Sequence, residues 1–500
     1  MAGKNIIIIN AVLTINIVII INSYYLGIKG AEASYSGATT TSYRRQLQIS
    51  HPHITTITPS SSSAIPVAVP PQTNSRVHHV IDYGADPTGL SDSTEALERA
   101  LSDAFRSSNN IRHSHLMQGV TDLGGTQLHL DGGTYKISRP LRLPLPHDDA
   151  SGSGSSSAAG NFMIHGGSLC ASDNFPSDAH LIELPSSSSY GYGYEHVTLK
   201  DLTINSNFRG GGISIVNSLR TTVENCYISH FTTNGILVRA GHETYIRNSF
   251  IGQHINVGGD PNERDFSGIG INIAGNDNAV TDVVIFSASI GILVSGQANV
   301  FSGVHCYNKA TALGGTGIYI RAPGFTQTRI LNSYFDFTGI VAEDPVQLHI
   351  AGSFFLGNAF ISIKSLNGVL SGVSIVDNMF SGDYTGVQIV QLDQSTGPPF
   401  TRIDQVLVDR NSVRGMTLRS TVAKGSVWSN GTRWTVDFSP VLLFPNLIKH
   451  VHYTLQAGAA ASFPNHVLRN VSGNRITVES DVPLSATLHA SVDQTVVAYT

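Results

Sequence analysis

From Gly212 to Ile389 the chain keeps returning to one short phrase, a glycine or its stand-in followed by apolar–x–apolar. It reads GISI at Gly212, GILV at Gly235, GINI at Gly270, GILV at Gly291, GIYI at Gly317, GIVA at Gly339, FISI at Phe360 and GVQI at Gly386. The intervals are 23, 35, 21, 26, 22, 21 and 26 residues. Second strands such as ENCYIS, IRNSFIG and LNSYFDF lie between the phrases, and no helical periodicity intervenes. A unit of this size cannot bury its own Ile and Val, so it must stack on copies of itself. Stacked in parallel at about 4.8 Å per coil, like residues cover like and each backbone ladder closes on the next. Propeller blades are longer and carry hairpin turns that this stretch lacks. The pattern predicts an all-β chain built on a parallel β-helix.

The ends of such a rod are bare strand edges that need covering. At the first end, Ala96, Leu97, Ala100, Leu101, Ala104 and Phe105 recur at helical spacing, and Asp92 with Glu95 reads as a capping box. An N-terminal capping helix over 92–105 is therefore expected. Strands follow around the Gly-Gly turn of 124–144. After about residue 415 the repeat fades into antiparallel strands with Asn-Gly and Gly-Asn turns, predicting a small C-terminal β-module over 415–500. The β-helix domain is expected over 77–414.

Upstream, Lys4 precedes the apolar run IIIINAVLTINIVIII of 6–21, and Ala31-Glu32-Ala33 offers small residues for cleavage. Residues 1–33 read as a secretory signal peptide, and Asn10, Asn16 and Asn22 disfavour stable membrane insertion. Residues 34–76 are rich in Ser, Thr and Pro without periodicity, and are expected to be a disordered leader. Three cysteines, Cys170, Cys226 and Cys306, are too few for a disulfide framework, so packing must stabilise the fold. Buried thiols are expected, with one bridge possible. Sequons at Asn430 and Asn470 fit an exported glycoprotein. A formal net charge of −5 argues against nucleic acid as a partner.

The phrases VIDYGADPTGLSDSTEALERAL, LHLDGGTYKISRPLRLP and HGGSLCASDNFP, followed by the coils, resemble the pectate-lyase/polygalacturonase superfamily. Within it they resemble the quartet-type polygalacturonases of plants, over roughly residues 77–500. The resemblance implies a right-handed β-helix, a secreted protein of the cell wall, and hydrolysis of homogalacturonan. Mainstream polygalacturonases carry Asn-Thr-Asp, Asp-Asp and Gly-His-Gly on successive coils. Here those places hold Ser267-Gly268-Ile269, Ser289-Ile290 and Gly315-Thr316-Gly317, so other acids must serve.

The interval of 35 residues points to them. It exceeds the preceding interval of 23 by a dozen, as when a loop is inserted into one coil, and the insertion is HINVGGDPNERDFSG of 254–268. Glycoside cleavage needs two carboxyl groups, about 6.5–9.5 Å apart when water attacks and about 5–5.5 Å apart when a carboxylate does. Asp265 with Glu263 or Asp260 forms the candidate acid/base set, and Asp336 is a further catalytic candidate. Arg264, Lys309 and His305 are candidates to bind substrate carboxylates. His230, Asn308 and Asp383 also stand just ahead of a phrase. His242-Glu243 reads as turn chemistry, and stacked Asn225 and Asn248 as a hydrogen-bonding ladder. His305-Cys306 has no partners at zinc-ligand spacing and GGDPNERD of 258–265 lacks the pattern of a calcium loop of the EF-hand kind, so neither a metal nor a cofactor is expected. The expected function is a secreted, monomeric glycoside hydrolase acting on pectic polysaccharide. The alternatives are a lyase on the same scaffold and an inactive wall-polysaccharide-binding protein.

Overall fold

The computed structural model describes residues 76–106, 116–117, 120–144, 158–186, 192–253, 268–307, 314–458 and 464–495. Three parallel sheets wind around one apolar interior. Sheet 1 is made by the phrases: His180–Leu184, Gly211–Val216, Asn234–His242, Ile269–Asn276, Ile290–Val294, Thr316–Ile320, Ile340–Glu343, Ile361–Lys364 and Val390–Asp393 pair in that order. Sheet 2 runs from Val77–His79 through Val120–His129 to Leu407–Asp409. Sheet 3 includes Tyr227–Ser229, Phe250–Gly252, Val284–Phe286, His305–Tyr307, Tyr334–Asp336, Phe354–Leu356 and Met379–Ser381.

The register explains the phrase. Ile236, Ile271, Ile292, Ile318, Ile340 and Ile361 stand over one another and are fully buried. The glycine ahead of each of the first five has no room for a side chain, and Phe360 takes that place ahead of Ile361. A Cβ on Gly235 would lie 2.6 Å from the carbonyl oxygen of Gly270, and one on Gly270 would lie 2.6 Å from that of Gly291. Glycine is thus a packing requirement of close backbone stacking. The eighth phrase is displaced: Ile361 pairs with Val390, so Ile389 and not Gly386 takes the place expected of the phrase.

Between sheets 2 and 3 the chain turns through one left-handed residue per coil. Asp201, Asn225, Asn248, Asp282, Asn332 and Asp377 all have φ between 50° and 58°. Asn225 and Asn248 therefore serve backbone conformation, which Asn and Asp tolerate best, and Asn225 donates to Asp201 across the coil at 2.6 Å. The buried asparagine ladders lie elsewhere, at Asn278–Asn299 (3.2 Å) and Asn378–Asn411 (3.1 Å). Inside sheet 3, Phe335, Phe355 and Phe380 stack at 4.9 and 4.5 Å between ring centres.

Helix α1 (Thr94–Arg106) covers the first coils, burying Ala96, Leu97, Ala100, Leu101 and Ala104, with Phe105 4.9 Å from the Phe162 ring. It begins after Ser93, so the expected capping box does not form. Asp92 instead accepts the N–H of Thr94 at 3.0 Å and is held by the hydroxyl of Ser138. At the other end, Val422–Asp437, His450–Ala457, His466–Ser472 and Arg475–Asp493 form an antiparallel sheet. It has its own core around Trp434, whose indole N–H donates to the carbonyl of Ala486 at 3.0 Å. Gly473-Asn474 makes the expected hairpin turn, with φ of 58° and 59°. Asn430-Gly431 does not: it lies within the long strand, beside a register shift between Gly431 and Arg433. The three thiols are free, and Cys226 and Cys306 are buried.

Candidate functional site

The connection from sheet 3 to sheet 1 is short in most coils, as at Ser287–Ser289 and Phe337–Gly339. It is long twice. Residues 254–267 follow the strand Phe250–Gly252 and precede Ile269–Asn276, and residues 308–313 follow His305–Tyr307 and precede Thr316–Ile320. Asp260, Glu263, Arg264 and Asp265 fall in the first, and Asn308 and Lys309 in the second; all six lie outside the described residues. Ser289, Ile290 and Thr316, which the sequence resemblance aligns with mainstream catalytic places, bear no charge.

Two of the candidates meet at the same corner. His305 opens its strand and Asp336 closes the strand one coil on, so their side chains cross diagonally, with Nε2 of His305 3.0 Å from Oδ2 of Asp336. Donation from Nε2 orients the carboxylate. Its other oxygen, Oδ1, is buried and accepts no hydrogen bond from the described residues, an expensive state unless another donor arrives. The pair remains reachable, the side chains being 35% and 27% exposed. Aromatic rings wall it: His305 lies 4.8 Å from the Tyr307 ring and 5.3 Å from that of Tyr334, which stacks on Phe354 at 4.6 Å. His305, Tyr334 and Phe354 belong to an outward stripe of sheet 3, in register from Tyr227 through Phe250 and Val284 to Met379. Phe250, Tyr334 and Met379 on it are exposed, an apolar track that does not need covering by the fold's own core.

The outer face of sheet 1 carries a cluster that the sequence reading missed. The Tyr319 hydroxyl donates to Oε1 of Glu343 at 2.6 Å, and the ammonium of Lys364 lies 3.4 Å from the same oxygen. Burial, and then the bond to Glu343, push the Tyr319 phenol up. Burial alone would lower Lys364, but Tyr319 and Glu343 outweigh it and raise it. Both groups therefore stay protonated near neutral pH, and neither offers the free base a lyase would need. These are outward places on the phrase strands rather than places ahead of a phrase, and only the coil register pairs them. Arg321, one residue beyond the paired Ile320, and Arg239 are exposed cations on this face.

The remaining positions have structural roles. Nδ1 of His230 lies 2.8 Å from Oδ1 of Asn205. Asp383 caps a turn: hydrogen bonds from the Thr385 hydroxyl and from Asn358 hold its carboxyl below the usual range. Glu243 and Asp277 are left-handed corner residues at φ of 52° and 60°, as turn chemistry requires. A groove of about 770 Å³ on sheet 2, lined by Gln327, Arg329, Gln347 and His349, has no carboxylate in its walls. His79, His129 and Asp131, on the first coils, bring ligand atoms within 4.8 Å of one another.

No family model matches the chain. It is 60% identical over 433 residues, 86% of its own length and 87% of the other's, to polygalacturonase QRT3 of Arabidopsis thaliana. Among solved structures it resembles ORF18 of Geobacillus virus E2, with a TM-score of 0.51 and 11% identity, covering 85% of this chain and 79% of that one. It also resembles the A-module of the mannuronan C-5 epimerase AlgE6 of Azotobacter vinelandii, with a TM-score of 0.41 and 12% identity over 68% of this chain and 98% of that one.

Proposed function

The chain belongs to the polygalacturonase family, and from that premise we propose that it hydrolyses the α-1,4-galacturonosyl bonds of homogalacturonan in the plant cell wall. The observation that carries the assignment of the site is the Asp336–His305 pair, whose second carboxylate oxygen, without a hydrogen-bond partner among the described residues, lies on the strand next to the one from which residues 308–313 depart. Asp336 is one of the two carboxyl groups the chemistry needs. The second comes from the acids of 254–267, with Asp265 first and Glu263 or Asp260 as its alternatives. Phe250–Gly252, from which that connection departs, is three coils before Tyr334–Asp336, or about 14 Å along the rod. A connection of this length spans that distance, since each extended residue covers up to about 3.3–3.6 Å.

In this reading one carboxylic acid protonates the leaving glycosidic oxygen and the other carboxylate activates water on the opposite face, which inverts the anomeric centre. The polymer is anionic. Arg264 and Lys309 flank the corner in sequence, and exposed Arg321 and Arg239 on sheet 1 extend the positive face for its carboxylates. Export by the N-terminal signal segment places the monomeric protein in the wall, and the exposed sequon residues Asn430 and Asn470 are open to glycan addition there. The test is turnover of de-esterified polygalacturonate by the purified protein and by Asp265→Asn. Release of reducing ends by the former and not by the folded latter supports the assignment. Full activity in Asp265→Asn removes Asp265 from it.

A further inference from the structure

We propose that His79, His129 and Asp131 bind a divalent transition-metal ion of the zinc type and so fasten the first strand of the β-helix to the next coil. The register brings the groups together across fifty residues of chain. His79 and His129 are paired positions on adjacent parallel strands, with ring centres 5.3 Å apart. Asp131 follows in the turn after the second strand, where a left-handed backbone (φ 49°) turns its carboxylate back over both rings. Oδ1 of Asp131 lies 2.5 Å from Nδ1 of His79 and 2.8 Å from Nδ1 of His129, and the three ligand atoms are within 4.8 Å of one another.

Two imidazole nitrogens and one carboxylate oxygen are a donor set for zinc and its neighbours, and an unfavourable one for calcium or magnesium, which take oxygen. Around a tetrahedral ion with bonds of about 2.0–2.1 Å, neighbouring ligand atoms stand about 3.3 Å apart. The cluster reaches that spacing by moves of under about 1 Å, within side-chain rotation. A second observation favours an ion over a hydrogen-bonded clamp alone. Oδ2 of Asp131 is buried with no hydrogen-bond partner among the described residues, while both imidazoles converge on the single oxygen Oδ1. An ion between them shares the carboxylate's charge with all three groups. The His79 and His129 side chains are 44% and 31% exposed, so solvent supplies the fourth position. His165, one coil on, is paired with the Gln127 side chain at 3.0 Å and its ring lies 4.6 Å from that of His129. Held by Gln127, it is not one of the ligands.

The experiment is a titration of chelator-stripped full-length protein with Co²⁺ at pH 7.5, read by visible absorption, followed by displacement with Zn²⁺ and by thermal unfolding with and without Zn²⁺. One equivalent of Co²⁺ is expected to give a saturable tetrahedral spectrum that Zn²⁺ removes, and Zn²⁺ is expected to raise the unfolding temperature. Asp131→Asn, which keeps the turn, and His79→Gln, at a half-exposed position, should each weaken binding by at least about 10-fold. His165→Gln should leave it unchanged. Binding should weaken as the pH is lowered, because protons compete with the ion for its ligands. No saturable uptake, or uptake that survives both Asp131→Asn and His79→Gln, overturns the proposal.

Discussion

Replacing Asp336 by asparagine removes a charge and preserves a shape. The amide oxygen still accepts from Nε2 of His305, at a place where the distance is now 3.0 Å. What is lost is the charge-assisted part of one partly exposed hydrogen bond, so the fold should lose no more than about 1 kcal/mol. Catalysis should lose far more, because the free Oδ1 can no longer give or take a proton. General acid or base catalysis contributes about 10²–10⁴-fold, and at 1.36 kcal/mol per decade that is roughly 3–5 kcal/mol on the barrier. Reducing-end release from polygalacturonate should therefore show kcat down by at least about 10²-fold, with KM within about threefold and an unfolding midpoint close to that of the parent. His305→Gln should sit between the two, since it disturbs the orientation of Asp336 and leaves its carboxylate. An Asp336→Asn protein that is folded and retains kcat within about threefold of the parent would falsify the assignment.

Other predictions concern the frame that holds the site. Gly270→Ala places a methyl group 2.6 Å from the Gly291 carbonyl oxygen and 2.7 Å from Cγ2 of Ile285, and should cost about 1–3 kcal/mol in denaturant unfolding. A loss below about 0.5 kcal/mol would contradict the stacking argument. Phe355→Ala opens the middle of the buried Phe335–Phe355–Phe380 stack and should cost about 3–5 kcal/mol by the same measurement. The N-terminal coils should be acid-sensitive. Hydrogen bonds from Thr88 and Ser91 hold the Asp86 carboxyl well below the usual range, and at Asp92 the bonds from Ser138 and Thr94 outweigh the opposing effect of burial. Both carboxyls are more acidic folded than unfolded, so their contribution is complete above about pH 4 and is lost as pH falls through the lower folded values. The protection of helix α1 amides, taken relative to intrinsic exchange at each pH, should fall below pH 4, and Asp86→Asn with Asp92→Asn should flatten that dependence; an unchanged acid limb would refute the link.

The coil register was legible because one steric demand recurs in the chain. Gly270 is glycine for want of space, and so are Gly235 and Gly291. Gly386 shows the limit of that reading. It has φ of 86° and open space around its missing Cβ, so it is glycine for a turn, and it mimicked the phrase three residues early. Asn430-Gly431 misled in the converse way, a turn signal spent on an irregularity within a strand. At the proposed site, His305 and Asp336 were legible because both stand ahead of a phrase, one coil apart, and stacking brings them together. Tyr319, Glu343 and Lys364 were not, because outward places on the phrase strands alternate among polar residues whose partners only the register reveals. His79, His129 and Asp131 obey no local spacing at all. They meet because parallel coils bring together residues fifty apart.

The most direct test of the account is product analysis on de-esterified polygalacturonate with the purified, full-length protein. The account predicts saturated oligogalacturonides with new reducing ends of inverted anomeric configuration, formed by the parent and not by Asp336→Asn. Unsaturated, ultraviolet-absorbing products, or a protein that binds the polymer and leaves it uncut, would contradict it.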